Sequence, residues 1–171
     1  AQIHQQNTYL KEHLKMNIRV VGLSNSRKMV FDNAGIDLDN WRTLLEEGEN
    51  TSLEGFFERT KSYNLRNSVF VDNTANAQVS LVYKDYLQNN IAVVTCNKIA
   101  CASKLENYLH LKKISRKYNV PFLFETNVGA GLPIIDTLKN LIASGDRVHK
   151  IQAVLSGSLN FVRSEEHTSE L

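Results

Sequence analysis

Short apolar runs alternate with helix-forming segments along most of this sequence, and this alternation limits the fold more than any other feature. Four runs predict buried strands, at residues 18–23, 69–71, 91–98 and 120–125. Segments with apolar residues at helical spacing separate them. Continuous apolar strands separated by helices are typical of a parallel sheet with helices on both faces. The sequence therefore predicts an α/β fold with a doubly wound parallel sheet.

The helical segments carry more specific signals. Residues 1–15 predict a polar helix, and one continuous helix is predicted over residues 79–87. Ser103 with Glu106 predicts a capping box at the start of another helix. The helix after Pro133 is predicted to end at Gly145. It is expected to bury one apolar stripe, formed by Ile134, Ile135, Leu138, Leu141 and Ile142.

A strand of a different kind is predicted at residues 150–155, where apolar and polar residues alternate. Alternation is typical of a sheet with one exposed face, whereas the four earlier runs are apolar throughout. This change of pattern predicts a second domain that begins near Arg147.

The composition excludes several classes of protein. The chain has 171 residues, 42% of them hydrophobic, and a net charge of +2, which fits one globular domain with its own core. No basic stripe with interleaved aromatic residues and no apolar run of membrane-spanning length occurs, so we expect neither a nucleic-acid nor a membrane partner. The two cysteines, Cys96 and Cys101, form neither a disulfide framework nor a zinc knuckle. A reduced, cytoplasmic location is therefore expected.

Small polar residues follow each of the four apolar strands. In parallel sheets with helices, ligands bind beyond the carboxyl ends of the strands, so this pattern predicts a binding site at that edge. Ordinary turns and caps remain the alternative for any one group, because loops are polar in most folds. The four groups are Ser24–Arg27, Asp72–Thr74, Thr95–Lys98 and Glu125–Asn127.

Five motifs resemble homoserine dehydrogenase in their order and spacing: "NSRKMVF", "VDNTA", "VVTCNKIA", "ETNVGAGLPII" and "LSGSLNF". The resemblance spans residues 1–162 and is greatest to the dehydrogenase half of bifunctional aspartokinase/homoserine dehydrogenases. It implies NAD(P)-dependent interconversion of L-homoserine and L-aspartate 4-semialdehyde, in threonine, methionine and isoleucine biosynthesis. It also implies a homo-oligomer in the full-length protein. The expected domains are a Rossmann-like NAD(P)-binding domain over 1–146 and the start of an α+β substrate and dimerisation domain over 147–162.

The resemblance implies roles for individual residues. Lys98 matches the active-site lysine of the family and would also lie against the cofactor, and Thr74 matches a position that contacts the nicotinamide side. Asn25, Ser26 and Arg27 follow the first predicted strand and would bind the ribose end of the cofactor. NAD-specific sheets place an acidic residue at such a strand end. Here an arginine stands instead, so we expect a preference for NADP(H), with NAD(H) as the alternative.

The motif "ETNVGAGLPII" resembles the monovalent-cation loop of the family. The resemblance implies that the Glu125 carboxylate and the main-chain carbonyls of Val128, Ala130 and Leu132 surround a sodium ion. Hard oxygen ligands suit such a cation. Glycines at 129 and 131 are expected to let the intervening carbonyls turn inward. A plain glycine-rich turn into a helix is the alternative.

The sequence also departs from the family. The glycine fingerprint for the pyrophosphate and the first strand of the sheet are missing, and the substrate-binding acidic residues and a second lysine of the family have no counterpart. Residues 163–171, "RSEEHTSEL", do not resemble the family and look like a translated sequencing adapter, so we interpret them as a non-native tail. We therefore expect a gene fragment that is inactive and prone to association when expressed alone.

Two other functions stay open from the sequence. A dehydrogenase of the aspartate-semialdehyde type would use a cysteine nucleophile on an acyl intermediate, and Cys96 and Cys101 keep that reading possible. A nucleotide-binding remnant without activity is the second alternative. Homoserine dehydrogenase is favoured because Cys96 lies beside Lys98 in a motif of that family, with no histidine close in sequence to activate it.

Overall fold

A computed structural model of the protein describes residues 2–153. The described residues divide into two compact units, one that ends at Asn67 and one that begins at Ser68. The sheet of the first unit is antiparallel, and the sheet of the second is parallel.

The first unit combines helices with a three-stranded antiparallel sheet in the order β1–β2–β3. Its buried apolar residues include Met29, Ile36 and Leu45. A side chain at Gly48 would meet the Met29 carbonyl oxygen at 2.3 Å, so the turn into β3 needs glycine. The elements are α1 (Gln2–His13), β1 (Gly22–Ser24), β2 (Lys28–Phe31), α2 (Trp41–Glu46), β3 (Glu49–Asn50) and α3 (Leu53–Ser62).

The strand predicted at residues 18–23 does not belong to the parallel sheet, so that part of the prediction is wrong. The observed strand β1 pairs with β2 in antiparallel register, with Leu23 opposite Val30. A parallel neighbour needs a crossover of a dozen or more residues, whereas a hairpin needs only a short turn. The chain supplies the short turn, because only residues 25–27 separate β1 from β2.

The second unit is built on a parallel sheet in the order β4–β5–β6. Val71 lies opposite Val94, and Val94 lies opposite Leu123. Helices occupy both crossovers, which confirms the α/β class predicted from the sequence. The elements are β4 (Val69–Asp72), α4 (Ala77–Leu81), α5 (Tyr83–Gln88), β5 (Ala92–Thr95), α6 (Ile99–Ala102), α7 (Leu105–Tyr118), β6 (Phe122–Leu123), a 3₁₀ turn (Glu125–Asn127) and α8 (Ile135–Ala143).

Aromatic rings fill the space between the parallel sheet and α5. The Phe70 ring of β4 stacks on Tyr86, with ring centroids 4.1 Å apart, and the Phe122 ring of β6 lies 6.0 Å from that of Tyr83. Leu87 and Val93 have no exposed surface. The core of the second unit therefore lies on the side of the sheet toward which Phe70 and Val93 point.

The opposite face of the same sheet is apolar but open. Its side chains are between 36% and 53% exposed, and they come from all three strands: Val69, Val71, Val94 and Leu123. Parallel sheets are generally covered on both faces.

Three predicted helices differ in detail. The helix predicted over 79–87 is interrupted at Val82, which ends α4 and begins α5. The capping box does not form, because Ser103 ends α6 in an extended conformation and Lys104 takes the cap position of α7. The stripe predicted on α8 is not buried, since none of the helix residues is buried. An apolar stripe shows which side of a helix can be buried, but burial also needs an opposing surface.

The carboxyl-terminal predictions fall largely outside the described residues. Residues 150–153 do not form the predicted strand, and 154–155 lie beyond the description, as do the predicted tail at 163–171 and most of the domain predicted over 147–162. The domain boundary at 147 stays a prediction. Within residues 2–153, no helix has the length and apolar character needed to cross a bilayer.

We predict that Leu87→Ala lowers the free energy of unfolding by about 2–5 kcal/mol, because the truncated side chain leaves a cavity against β5. Leu81→Ala is the matched control, since Leu81 is 59% exposed, and its change should stay within about 0.5 kcal/mol. Urea unfolding of the purified variants measures both values. Equal destabilisation by the two substitutions would contradict the described core.

Candidate functional site

The carboxyl ends of β4 and β5 are joined by one buried carboxylate, that of Asp72, which is 2% exposed. Its Oδ1 accepts a hydrogen bond from the Thr74 main-chain N–H at 2.7 Å. Its Oδ2 accepts from the Asn97 side-chain amide at 3.1 Å and from the Tyr83 hydroxyl. A buried carboxylate is tolerated where several donors satisfy it. Asp72 therefore fixes the loop after β4 against the loop after β5.

A directed chain of hydrogen bonds reaches Asp72 from β5. Because the Tyr83 hydroxyl proton points to Asp72, the 2.8 Å contact between the Tyr83 and Thr95 hydroxyls must be donated by Thr95. The Thr95 oxygen in turn accepts from the Asn97 main-chain N–H at 2.9 Å. Burial, and then the hydrogen bond to Asp72, raise the pKa of Tyr83. Tyr83 therefore stays protonated and remains a donor at any physiological pH.

The Asn97 side chain fixes the backbone around Lys98. Its amide N–H groups donate to Asp72 and to the Asn76 carbonyl at 2.9 Å, and its oxygen accepts from the Ile99 main-chain N–H at 3.1 Å. Asn97 is 2% exposed. The main chain is thus held immediately before and immediately after Lys98.

Lys98 and Thr74 lie where the sequence predicted, at the ends of β5 and β4. Lys98 occupies the cap position of α6 and is exposed, and no hydrogen bond or ion pair within residues 2–153 involves its ammonium group. A cation at the amino end of a helix is not stabilised by the helix dipole. Thr74 is also exposed, and its hydroxyl accepts from the Asn76 main-chain N–H at 3.2 Å. Both side chains can therefore meet a ligand.

The loop with the predicted sodium ligands has a structural role in the described fold. The two Glu125 carboxylate oxygens accept from the Ile135 and Asp136 main-chain N–H groups at 2.8 and 2.9 Å. The carboxylate therefore caps the amino end of α8, where negative charge is favourable. The Leu132 carbonyl already accepts from the Ile134 N–H at 2.9 Å.

The left-handed residues of this loop are Gly129 (φ 72°) and Ala130 (φ 52°), and Gly131 is not left-handed. Gly129 therefore adopts the backbone conformation that favours glycine and Gly131 does not, and the inward orientation of the intervening carbonyls stays a prediction. At 129 the left-handed φ favours glycine, and a Cβ there would also displace the end of the Ile134 side chain, which it would approach to 2.1 Å. Among the described residues, no main-chain N–H donates to the Val128 or Ala130 carbonyl oxygen, so both oxygens are available to a ligand.

Asn127 is a site residue that only the general pattern of polar residues after a strand predicted. Its amide N–H group lies 3.5 Å from the Asn97 carbonyl oxygen. Its own oxygen is buried and has no hydrogen-bond partner among the described residues. Tyr83 was missed for another reason, since its helical spacing predicted only a core residue.

The predicted ribose-binding residues lie in the hairpin turn between β1 and β2. The Asn25 side-chain oxygen accepts from the main-chain N–H groups of Arg27 and Lys28, both at 2.8 Å. Asn25 therefore shapes the turn. Ser26 and Arg27 are exposed, and in the described part of the chain neither side chain makes a hydrogen bond or ion pair.

Two sequence models of one family match the chain. The model described as "Homoserine dehydrogenase, NAD binding domain" matches residues 2–125, and the model described as "Homoserine dehydrogenase" matches residues 133–170. The first match alone covers more than half of the chain. The chain belongs to the homoserine dehydrogenase family. Members of this family are oxidoreductases, and the matched domain binds a nicotinamide nucleotide.

Curated relatives have the same family name. The chain is 42% identical over 163 residues to the chloroplastic bifunctional aspartokinase/homoserine dehydrogenase 1 of Arabidopsis thaliana, covering 94% of this chain and 18% of that protein. It is 34% identical over 147 residues to the homoserine dehydrogenase of Schizosaccharomyces pombe, covering 85% of this chain and 39% of that protein. The chain thus spans less than half the length of either homoserine dehydrogenase relative.

Solved structures of similar fold support the same assignment. A Candida auris protein of unknown function superposes with a TM-score of 0.78 at 33% identity, covering 92% of this chain and 44% of that one. A hyperthermophilic archaeal homoserine dehydrogenase in complex with NADPH superposes with a TM-score of 0.61 at 25% identity, covering 80% of this chain and 44% of that one. The Rossmann-like class predicted from the sequence is confirmed.

The cysteines do not favour the semialdehyde-dehydrogenase alternative to homoserine dehydrogenase. Burial raises the pKa of the Cys101 thiol, and a hydrogen bond donated by the Asn127 side chain and the charge of Lys112 oppose that shift. The protonated thiol is a poor nucleophile. Cys96 is exposed, and no hydrogen bond or ion pair within residues 2–153 links its thiol to a base that would activate it.

Proposed function

We propose that the protein carrying this sequence is an NADP(H)-preferring homoserine dehydrogenase, which interconverts L-homoserine and L-aspartate 4-semialdehyde. The observation that carries the proposal is the position of the Lys98 ammonium group. It is exposed at the carboxyl end of β5 and has no protein partner in the described structure, while the main chain on both sides of it is fixed by Asn97. Because the chain belongs to the homoserine dehydrogenase family, the reaction proposed at this lysine is hydride transfer between substrate and nicotinamide.

Lys98 is proposed to act on the substrate oxygen. A bound nicotinamide would supply the hydride chemistry. In reduction of the semialdehyde, negative charge would develop on the aldehyde oxygen as hydride adds to the carbon, and the Lys98 ammonium group would stabilise that charge and donate a proton to give the homoserine hydroxyl. In the oxidation of homoserine the neutral Lys98 amine would take the hydroxyl proton as hydride leaves the carbon. Thr74, exposed at the end of β4, is proposed to contact the nicotinamide side of the cofactor.

The test of the function is homoserine-dependent reduction of NADP⁺ by the purified protein that carries this chain. We expect turnover in the wild type and a loss of about 10²-fold or more in Lys98→Ala, which is the usual scale for a general acid–base group. NADPH binding, followed by fluorescence, should survive the substitution. Lys104→Ala is the control, because Lys104 is an exposed lysine at the start of the next helix. Unchanged turnover in Lys98→Ala would contradict the role, and a wild type that needs phosphate and a free thiol would favour the cysteine mechanism.

The preference for NADP(H) rests on the hairpin turn of the first unit. The Arg27 guanidinium and the Ser26 hydroxyl are exposed and make no polar contact in the described residues, so they can bind a 2′-phosphate by charge-assisted hydrogen bonds. Asn25 supports the turn through its bond to the Arg27 main chain. This donor set suits a phosphate better than a ribose hydroxyl pair, which an acidic residue would bind.

Arg27→Ala should raise the Kd for NADPH by about tenfold or more, since hydrogen bonds to charged groups carry that much free energy. The Kd for NADH should change by less than about twofold, because NADH lacks the 2′-phosphate. Arg66→Ala, at another exposed arginine of the same unit, should leave both constants unchanged. Fluorescence titration measures them, and equal losses for the two cofactors would refute the assignment.

We propose that the loop after β6 also binds a sodium ion, through Glu125 and the carbonyls of Val128, Ala130 and Leu132. The support is chemical, because these are hard oxygen donors and the left-handed residues 129 and 130 interrupt the extended backbone between them. The capping bonds of Glu125 use one lone pair on each oxygen and leave others for a cation. Such an ion would stabilise the loop and take no part in the hydride step.

Glu125→Gln should lower the stability by about 0.5–2 kcal/mol, because the amide cannot accept both capping bonds. The substitution should also remove the dependence of the melting temperature on sodium. The wild-type melting temperature should be higher in sodium chloride than in tetramethylammonium chloride, since a ligand of the native state stabilises it. Glu106→Gln, at an exposed glutamate in the first turn of α7, should keep that difference. A wild type with equal melting temperatures in the two salts would rule out the ion site.

The remaining features of the proposal concern the whole protein. The reaction would use small-molecule substrates, and the full-length protein is proposed to be a homo-oligomer in the cytoplasm. The free cysteines fit a reducing compartment.

A further inference from the structure

We propose that Tyr83 is a positioning residue of the site: its hydroxyl, through Asp72 and Thr95, holds the loop that carries Lys98 in the reactive geometry. This inference rests on the proposed function. The Tyr83 ring is fully buried, so the residue does not touch substrate or cofactor. Any effect on the reaction must pass through the residues that it contacts.

Tyr83, on helix α5, contacts a residue at the start of each loop of the site. Its hydroxyl donates to the Asp72 carboxylate at the end of β4, and it accepts from the Thr95 hydroxyl at the end of β5, at 2.8 Å. A hydroxyl can serve both neighbours because it is a donor and an acceptor at once. Phenylalanine would fill the same space and serve neither.

The two contacts of Tyr83 have different consequences for the site. Asp72 uses its other oxygen, Oδ1, for the Thr74 main chain, so that bond does not depend on Tyr83. Thr95 holds the main-chain N–H of Asn97, the residue before Lys98, at 2.9 Å. Without the Tyr83 hydroxyl, the Thr95 hydroxyl loses its acceptor. The Asp72 Oδ2 atom then keeps only the hydrogen bond from the Asn97 side chain. We therefore expect the Lys98 loop to loosen more than the Thr74 loop.

The position of Lys98 matters because a small displacement of a catalytic group costs much of the rate. A buried network that is fully satisfied is rigid, whereas one with a missing member lets its neighbours choose new partners. Tyr83 completes the chain that runs from the Asn97 N–H through Thr95 to Asp72. Loss of the Tyr83 hydroxyl is therefore expected to lower kcat, whereas a change in core packing alone would lower only the stability.

The test compares Tyr83→Phe with Tyr86→Phe, which makes the same chemical change at an equally buried tyrosine of the same helix, stacked on Phe70. In the complete enzyme, Tyr83→Phe should lower kcat per folded molecule by about tenfold or more. The KM for homoserine and the Kd for NADPH should change by less than about threefold. Tyr86→Phe should keep kcat within about twofold of the wild type.

A second pair of variants tests the same chain at Thr95. Thr95→Ser keeps the hydroxyl and should retain the wild-type kcat, whereas Thr95→Val removes it and should behave as Tyr83→Phe. Circular dichroism and thermal unfolding give the folded fraction by which each kcat is divided. The proposal is overturned if Tyr83→Phe and Thr95→Val keep the wild-type kcat per folded molecule. It is also overturned if Tyr86→Phe changes kcat and KM as much as these two variants do. A wild type without homoserine-dependent turnover would instead refute the proposed function, whatever the variants do.

Discussion

The second unit depends on the burial of one carboxylate. Asp72 ends β4, lies under the edge of the parallel sheet and is 2% exposed. A charge in that position is costly unless donors surround it, and the chain supplies three, from Thr74, Tyr83 and Asn97. Because these donors come from two loops and one helix, satisfying the carboxylate also fixes the backbone from which Thr74 and Lys98 extend. The polar core thereby shapes the edge at which a ligand can bind.

Sequence pattern was sufficient for the parallel sheet and insufficient for the first strand. The runs predicted as strands at 69–71 and 91–98 are followed by helical segments, so their crossovers are visible in the sequence. Both strands form, although β5 is shorter than predicted and covers only Ala92–Thr95. The run at 18–23 has the same apolar character. Its pairing is decided by the short polar turn at 25–27, which brings β2 back beside β1. Hydrophobic periodicity predicts whether a segment is buried, but it does not predict which strand the segment pairs with.

The site shows the same division between local and long-range information. Lys98 and Thr74 were identifiable because they follow strands, and the structure places them at the predicted edge of the sheet. The role of Tyr83 is invisible in the sequence, since a tyrosine on an apolar helix face predicts only core packing. Its contacts to Asp72 and Thr95 join residues 11 and 12 positions apart. Glu125 is similar, because its capping of α8 depends on how the loop at 129–130 turns.

The most direct test of the account is a crystal structure of the complete enzyme with NADP⁺ and homoserine bound. The account predicts the Lys98 ammonium group within hydrogen-bond distance of the homoserine hydroxyl oxygen. It also predicts that Asp72 still accepts from the Thr74 main chain, Tyr83 and Asn97. A homoserine oxygen bound elsewhere, with Lys98 pointing into solvent or Cys96 against the substrate carbon, would contradict it.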